Sequence, residues 1–351
     1  MTPLNRSISR RGLVGGSAAV AAALAVQSPA AFAQTPATSA ADSTVPDWDA
    51  IDQQLQAVSP MVALTAAELV GDEIVPVHEL NPDLVLPIGS SFKLWILGAL
   101  AMSVASGESA WNEPMQIEEA HRSVPGGDFR YLPEGTTFTT RYFAERMIQK
   151  SDNTATDHTL FHVGRENVEA AMTAMGHHDP SLNIPILSTR ELSMLKFASP
   201  TEQVDAYVAA DVPERRRILE EEIDTLPFSA LSDLDQTKPI EIDRIEWFAK
   251  RGDLVKTMAW LHGTAGNEEL LPVREILTLE TPIPFDGETW NYVGYKGGSE
   301  MGLLSTTWLL DRADGRTFVY TIGFVDPGAA IDMDAAVAVM MNGRDRLALV
   351  P

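Results

Sequence analysis

Strand-like runs stand at both ends of this 351-residue chain, and helical patterning fills the space between them. Near the start these runs are Met61 to Leu69 and Glu73 to His78, around the turn Gly71-Asp72. Near the end they are Thr289 to Gly294, Leu303 to Leu310 and Thr317 to Val325, with Asp314-Gly315 turning between the last two. Strands at both ends with helices between them imply one sheet assembled from the termini and a helical portion built by the middle. The expected fold is therefore α/β of the α+β kind. Its antiparallel sheet, from about 46–85 and 285–351, is flanked by helices, and a mainly helical part spans about 86–284. Trp48, Ile51, Leu55 and Val58 fall at helical spacing and open the domain, and a last helix is expected from about Met333 to Asn342. The charged region from about Pro200 to Asp253, which includes Glu214 to Glu222, is expected to form helices on the outside of the helical part.

The first 33 residues read as a targeting segment. Arg6, Arg10 and Arg11 precede an apolar stretch from Leu13 to Val26, and Ala31-Phe32-Ala33 offers the small residues a signal peptidase accepts. The Arg10-Arg11 pair behind Ser9 is similar to a twin-arginine signal. Leu13 to Val26 is too short and too rich in Ala and Gly to span a bilayer, so the mature chain is expected to carry no membrane segment. Residues 34–45 read as a disordered leader, and 46–351 as the domain. The signal segment holds three arginines and no acid, so the net charge of −23 becomes −26 without it. Such an acidic surface disfavours nucleic acid and anionic membranes. With no cysteine, neither a disulfide nor a thiolate metal site can form.

Ser90-Ser91-Phe92-Lys93 follows Leu86-Pro87-Ile88-Gly89 and begins the apolar run Leu94 to Val104. Pro87 and Gly89 disfavour helix before Ser90, which places the serine at or near a helix N-terminus and the lysine one turn on. Lys93 is the only charge between Leu84 and Ala105, and a desolvated lysine with a lowered pKa can take the serine proton. The pattern alone is weak: Ser193-Met194-Leu195-Lys196 repeats it in what reads as a helix interior, and a buried helix with one snorkelling lysine explains the first copy about as well. Ser151-Asp152-Asn153 lies after the periodic stretch Tyr142 to Ile148, and Lys296-Gly297-Gly298-Ser299 at the end of the strand Thr289 to Gly294. These add what a lysine-activated serine needs: a second hydroxyl to shuttle protons, a cation to steady an anionic substrate group, and glycines that admit close backbone approach.

In this order, Ser-x-x-Lys, Ser-Asp-Asn and Lys-x-Gly resemble the signature of class A β-lactamases and penicillin-binding proteins, over nearly the whole mature chain. The resemblance implies that Ser90 is the acylated nucleophile, Lys93 its general base and Ser151 the proton shuttle to the leaving atom. It implies that Asn153 positions Lys93 and the substrate amide, that Lys296 holds Ser151 and a substrate carboxylate, and that the N–H groups of Ser90 and Ser299 form the oxyanion hole beside Gly298. Asp152 is expected to cap a turn. The implied partner is a small acyl donor, a β-lactam, ester or cell-wall peptide, handled by a cofactor-free, monomeric, periplasmic or secreted bacterial protein. A non-catalytic sensor or cell-wall-binding module on the same fold is the rival from another class.

The chain departs from the family pattern at deacylation. Class A enzymes place a glutamate on a loop after Ser-Asp-Asn to activate the releasing water, and Glu191 is the candidate here. Yet Ser188 and Glu191 form a Ser-x-x-Glu capping box before Leu192, Leu195 and Phe197, so capping is the preferred reading. Gly297 replaces the family's usual hydroxyl residue, and no Arg or Lys lies on Leu303 to Leu310. Acylation with slow release is the expectation. His158 and His162, four apart, and His177-His178-Asp179 could be read as metal ligands, but without a glutamate in a zincin pattern no metal is expected.

Overall fold

The computed structural model describes residues 45–351 apart from 233, 235, 279 and 280; the signal segment of 1–33, and all but the last residue of the leader, lie outside the described residues. Helix α1 (Trp48–Val58), capped by Asp47, leads into strands β1 (Met61–Val70) and β2 (Glu73–Leu80). A two-residue strand, β3 (Leu86–Pro87), delivers the chain to a 3₁₀ turn, Gly89–Phe92, which runs directly into α2 (Lys93–Ser106). Strands β4 (Pro114–Gln116) and β5 (Thr137–Thr139) precede α3 (Thr140–Gln149), α4 (Asn153–Val163) and α5 (Arg165–Ala174). Next come α6 (Thr189–Ser193), α7 (Thr201–Ala209), α8 (Val212–Ile218), β6 (Phe248–Ala249), α9 (Arg251–Gly263) and α10 (Leu271–Leu277). Strands β7 (Trp290–Glu300), β8 (Leu303–Arg312) and β9 (Thr317–Val325) and helix α11 (Met333–Ala348) close the chain.

The main sheet runs β2-β1-β9-β8-β7 with every neighbour antiparallel, so the two chain ends meet where β1 pairs with β9. One face buries Leu64, Trp308, Tyr320 and Phe324 against Ile51 and Leu55 of α1 and Met340 of α11. The other receives the helical part around α2, whose residues from Lys93 to Ala101 are all buried. A helix apolar on every side must be central, and α2 is. The fold is the expected α+β arrangement, one antiparallel sheet built from both chain ends and flanked by helices. Among the described residues, no helix is long and apolar enough to cross a membrane.

Two expectations are corrected. Strand β7 does not stop at Gly294 but continues to Glu300, so Lys296 to Ser299 lie inside a strand. The side-chain-free Gly297 and Gly298 weaken strand propensity, yet pairing with Thr306 and Ser305 of β8 supplies the order that propensity lacks. The region from Pro200 to Asp253 forms α7 and α8, but α-helix is absent among the described residues between 224 and 247, and Phe248–Ala249 is a strand. It pairs with Leu86–Pro87, a partner more than a hundred residues away that no local pattern could announce.

Candidate active site

The Gly89–Phe92 turn that carries Ser90 is held from three sides. Ile88 donates its N–H to Trp247 O at 2.8 Å, and the Phe92 and Trp247 rings stack with centroids 3.6 Å apart. Ser91 Oγ meets Ser305 Oγ of β8 at 3.2 Å, and the fully buried Arg251 donates to the same hydroxyl at 2.9 Å. On the third side β7 presses against the turn: a Cβ on Gly298 would overlap Ile88 O and the Ser90 backbone nitrogen, so only glycine permits this approach. Gly89 takes φ +48°, and a Cβ there would lie 3.3 Å from the Ser299 nitrogen. The backbone nitrogens of Ser90 and Ser299 therefore both lie where the turn meets β7, and Ser90 is half-buried.

Lys93 is 0 % exposed and donates to Ser151 O at 2.8 Å, Ser151 Oγ at 3.2 Å and Asn153 Oδ1 at 2.6 Å. Burial pulls its pKa down to about 7, against the opposing pull of Asp152 and Asp157. Lys296 donates to the same Ser151 Oγ at 3.1 Å and to Gly297 O at 2.5 Å. Its pKa is driven well below the ordinary lysine value, first by burial and then by the charge of Lys93. Ser151 Oγ thus accepts from two lysines, which occupies both lone pairs and leaves its own O–H free to be donated elsewhere. Among the described residues, the Ser90 hydroxyl has no hydrogen-bond partner, and Lys93, one helical turn on, bonds to Ser151 and Asn153 and not to it.

Ser151 takes φ +51°, a left-handed conformation that costs a non-glycine residue of order 1 kcal/mol or more. The backbone around it is fixed by Asp152, whose carboxylate caps α4 through Ala155 N at 2.9 Å and receives Asp128 N at 2.7 Å and Phe129 N at 3.0 Å. Asn153 donates to Pro125 O at 2.7 Å, tying the same loop to the wall of the cleft. Asp152 is structural, as the sequence suggested.

Glu191 is 0 % exposed and completes the capping box: Ser188 N reaches its Oε2 at 2.6 Å, while Glu191 N reaches Ser188 Oγ at 3.1 Å. Arg165 clasps the same carboxylate from α5, at 2.6 Å to Oε1 and 3.1 Å to Oε2. Arg165 is a partner the sequence reading missed, because Glu191 and Arg165 lie 26 residues apart on elements whose packing no pattern announces. The second Ser-x-x-Lys also finds a partner: Lys196 lies in a π-helical turn, Met194–Ala198, and contacts Glu246 at 3.1 Å and Glu300 at 2.5 Å.

The histidines separate. His158 accepts from Glu118 N at 2.8 Å and pairs with Thr154 O at 2.7 Å, its pKa pushed down to about 4 by burial, while His162 pairs with Ser109 Oγ at 2.8 Å. His177 and His178 gather with Asp253 rather than as a set with Asp179. Both His177 nitrogens are engaged, with Asp179 N at 3.1 Å and Phe248 O at 3.0 Å. β8 reaches Arg312, but at the end opposite Gly298, where its guanidinium binds Asp314 and carbonyls of the C-terminal segment.

Residues 51–221 match the sequence profile described as the "Beta-lactamase enzyme family". No curated protein sequence matches the chain. A β-lactamase structure from Sphaerobacter thermophilus DSM 20745 is similar over 87% of this chain and 100% of its own, at 17% identity and TM-score 0.60. One from Chitinophaga pinensis DSM 2588 is similar over 85% of this chain and 97% of its own, at 14% identity and TM-score 0.58. A PBP-A variant, solved as an acyl-enzyme complex with penicillin G, shares 14% identity over 85% of this chain and 97% of its own, at TM-score 0.56. At such identities the structural likeness speaks for the fold. With the motif order and the profile match in agreement, residues 51–221 belong to the β-lactamase enzyme family, and the fold of the chain is the one its structures share.

Proposed function

We propose that this protein is an exported, cofactor-free serine hydrolase that acts in the periplasm or outside the cell and forms an acyl-enzyme on Ser90 from small β-lactam, ester or cell-wall-type peptide donors. Lys93, as the free amine, takes the Ser90 proton. Ser90 Oγ attacks the carbonyl carbon, whose developing oxyanion is met by the N–H groups of Ser90 and Ser299. Ser151 gives its O–H proton to the leaving nitrogen or oxygen and is recharged from Lys93. Lys296 steadies Ser151 and a carboxylate on the donor; Asn153 aligns Lys93 and the donor's amide. The observation that carries this reading is the pair of hydrogen bonds from Lys93 and Lys296 to one hydroxyl, Ser151 Oγ.

Release of the acyl group is the slow step, because the Glu191 carboxylate is committed to Ser188 and Arg165. Intact-protein mass spectrometry with a panel of penicillins and activated esters tests the proposal. The expected result is a one-to-one adduct that builds up faster than it clears and is absent in Ser90→Ala. A panel that never labels the wild-type protein would refute it, and reversible binding of cell-wall peptides without an adduct would favour a sensor.

A further inference from the structure

Asp152, Asp157 and Glu191 have their carboxylates taken up by structural donors. Asp152 and Glu191 each hold three donors, and Asp157 receives Thr189 N at 2.8 Å, Thr189 Oγ1 at 2.8 Å and Arg190 N at 2.9 Å. Glu300 differs. It ends β7, the edge strand beside the cleft, and strand alternation puts its side chain on the same face as Lys296 and Gly298. The first of these residues reaches Ser151 and the second abuts the Ser90 nitrogen, so Glu300 starts only about 6.6 Å along the strand from that contact, two residues at the usual rise.

Glu300 joins Glu246 and Lys196 in a buried trio of two acids and one lysine. Its side chain is 25 % exposed, against 0 % for Lys196 and 3 % for Glu246, so it is the member of the trio nearest solvent. Glu246 precedes Trp247, which stacks on Phe92 and holds Ile88, so the trio braces the nucleophile turn from one side while β7 braces it from the other.

Resting on the Ser90 acylation proposed above, we infer that Glu300, backed by Glu246 and Lys196, is the base for the water that releases the acyl group. The water oxygen bonds to the ester carbonyl carbon as its proton passes to the Glu300 carboxylate. The oxyanion of the tetrahedral intermediate is held by the N–H groups of Ser90 and Ser299. As the bond from that carbon to Ser90 Oγ breaks, Glu300 returns the proton to Ser90 Oγ. The products are a free carboxylic acid, the serine hydroxyl and the starting carboxylate.

The charged groups that face Glu300 are Glu246, from the segment before β6, and Lys196, from the π turn. Burial and the neighbouring Glu246 hold the Glu300 pKa well above the ordinary range, with Lys196 opposing. Most of the base is therefore protonated at low pH, and release quickens as pH rises through that elevated pKa.

The test follows a fluorescent penicillin or activated ester on the full-length protein, measuring attachment and release separately across pH. Glu300→Gln is expected to take the label, which reports a folded cleft, and to release it on the order of 10²-fold more slowly, with the upper pH limb lost. Release by Glu300→Gln at the wild-type rate with an unchanged pH profile overturns the role of Glu300 while leaving Ser90 acylation intact. Wild-type protein that takes no label overturns both. Lys196→Met separates basicity from bracing: removing the cation should shift the pH limb of release upward, whereas a merely structural trio would lower stability and leave the limb where it was.

Discussion

Glu191 offers a decisive perturbation, because the structure gives its carboxylate two structural partners where the family pattern would ask for a catalytic role. Glu191→Ala deletes the acceptor for Ser188 N and strips Arg165, whose side chain is 13 % exposed, of its carboxylate. A helix cap alone is worth about 0.5–2 kcal/mol. Stranding one member of a buried ion pair costs about 3–5 kcal/mol, and since both effects fall on one carboxylate the larger figure sets the total. For a domain of this size that corresponds to a fall in melting temperature of roughly 6–10 °C. Urea and thermal unfolding followed by circular dichroism would measure it. Glu191→Ala/Arg165→Met should recover part of the loss, since the second change removes the stranded charge. The acyl adduct on Ser90 should form and clear in Glu191→Ala at rates close to wild type wherever the fold persists. A loss below about 1 kcal/mol, the worth of an exposed pair, together with a selectively long-lived adduct, would refute the assignment and return Glu191 to catalysis.

Two further outcomes follow from the cleft. Lys93 serves as base only when deprotonated and burial sets its pKa near about 7, so the labelling rate of Ser90 should climb with pH and level off above that value; a profile that rises only in the ordinary lysine range would contradict this. Gly298→Ala forces a methyl against Ile88 O and the Ser90 nitrogen, and separating β7 from the Gly89–Phe92 turn should slow labelling on the order of 10²-fold and lower stability by about 1–3 kcal/mol. Wild-type labelling by Gly298→Ala would mean that strand and turn do not act as one oxyanion-binding unit.

The sequence by itself determined the parts whose signals are local. The strand-like run Thr317 to Val325 matched a strand, and Trp48, Ile51, Leu55 and Val58 marked a helix face, because such patterns are imposed within one element. The capping box at Ser188 and Glu191 was legible for the same reason: both partners lie within one turn. The three motifs could be found in order, but their order says nothing of distance.

The tertiary structure alone decided what depends on neighbours distant in the chain. It brought Lys93, Ser151 and Lys296 onto one hydroxyl, gave Glu191 its arginine, and paired Phe248–Ala249 with Leu86–Pro87. It also made Lys196 of the second Ser-x-x-Lys the partner of two glutamates rather than of a serine. Hydrogen bonds and ion pairs act over a few ångströms, and only the folding of the sheet from both chain ends carries those side chains within that reach.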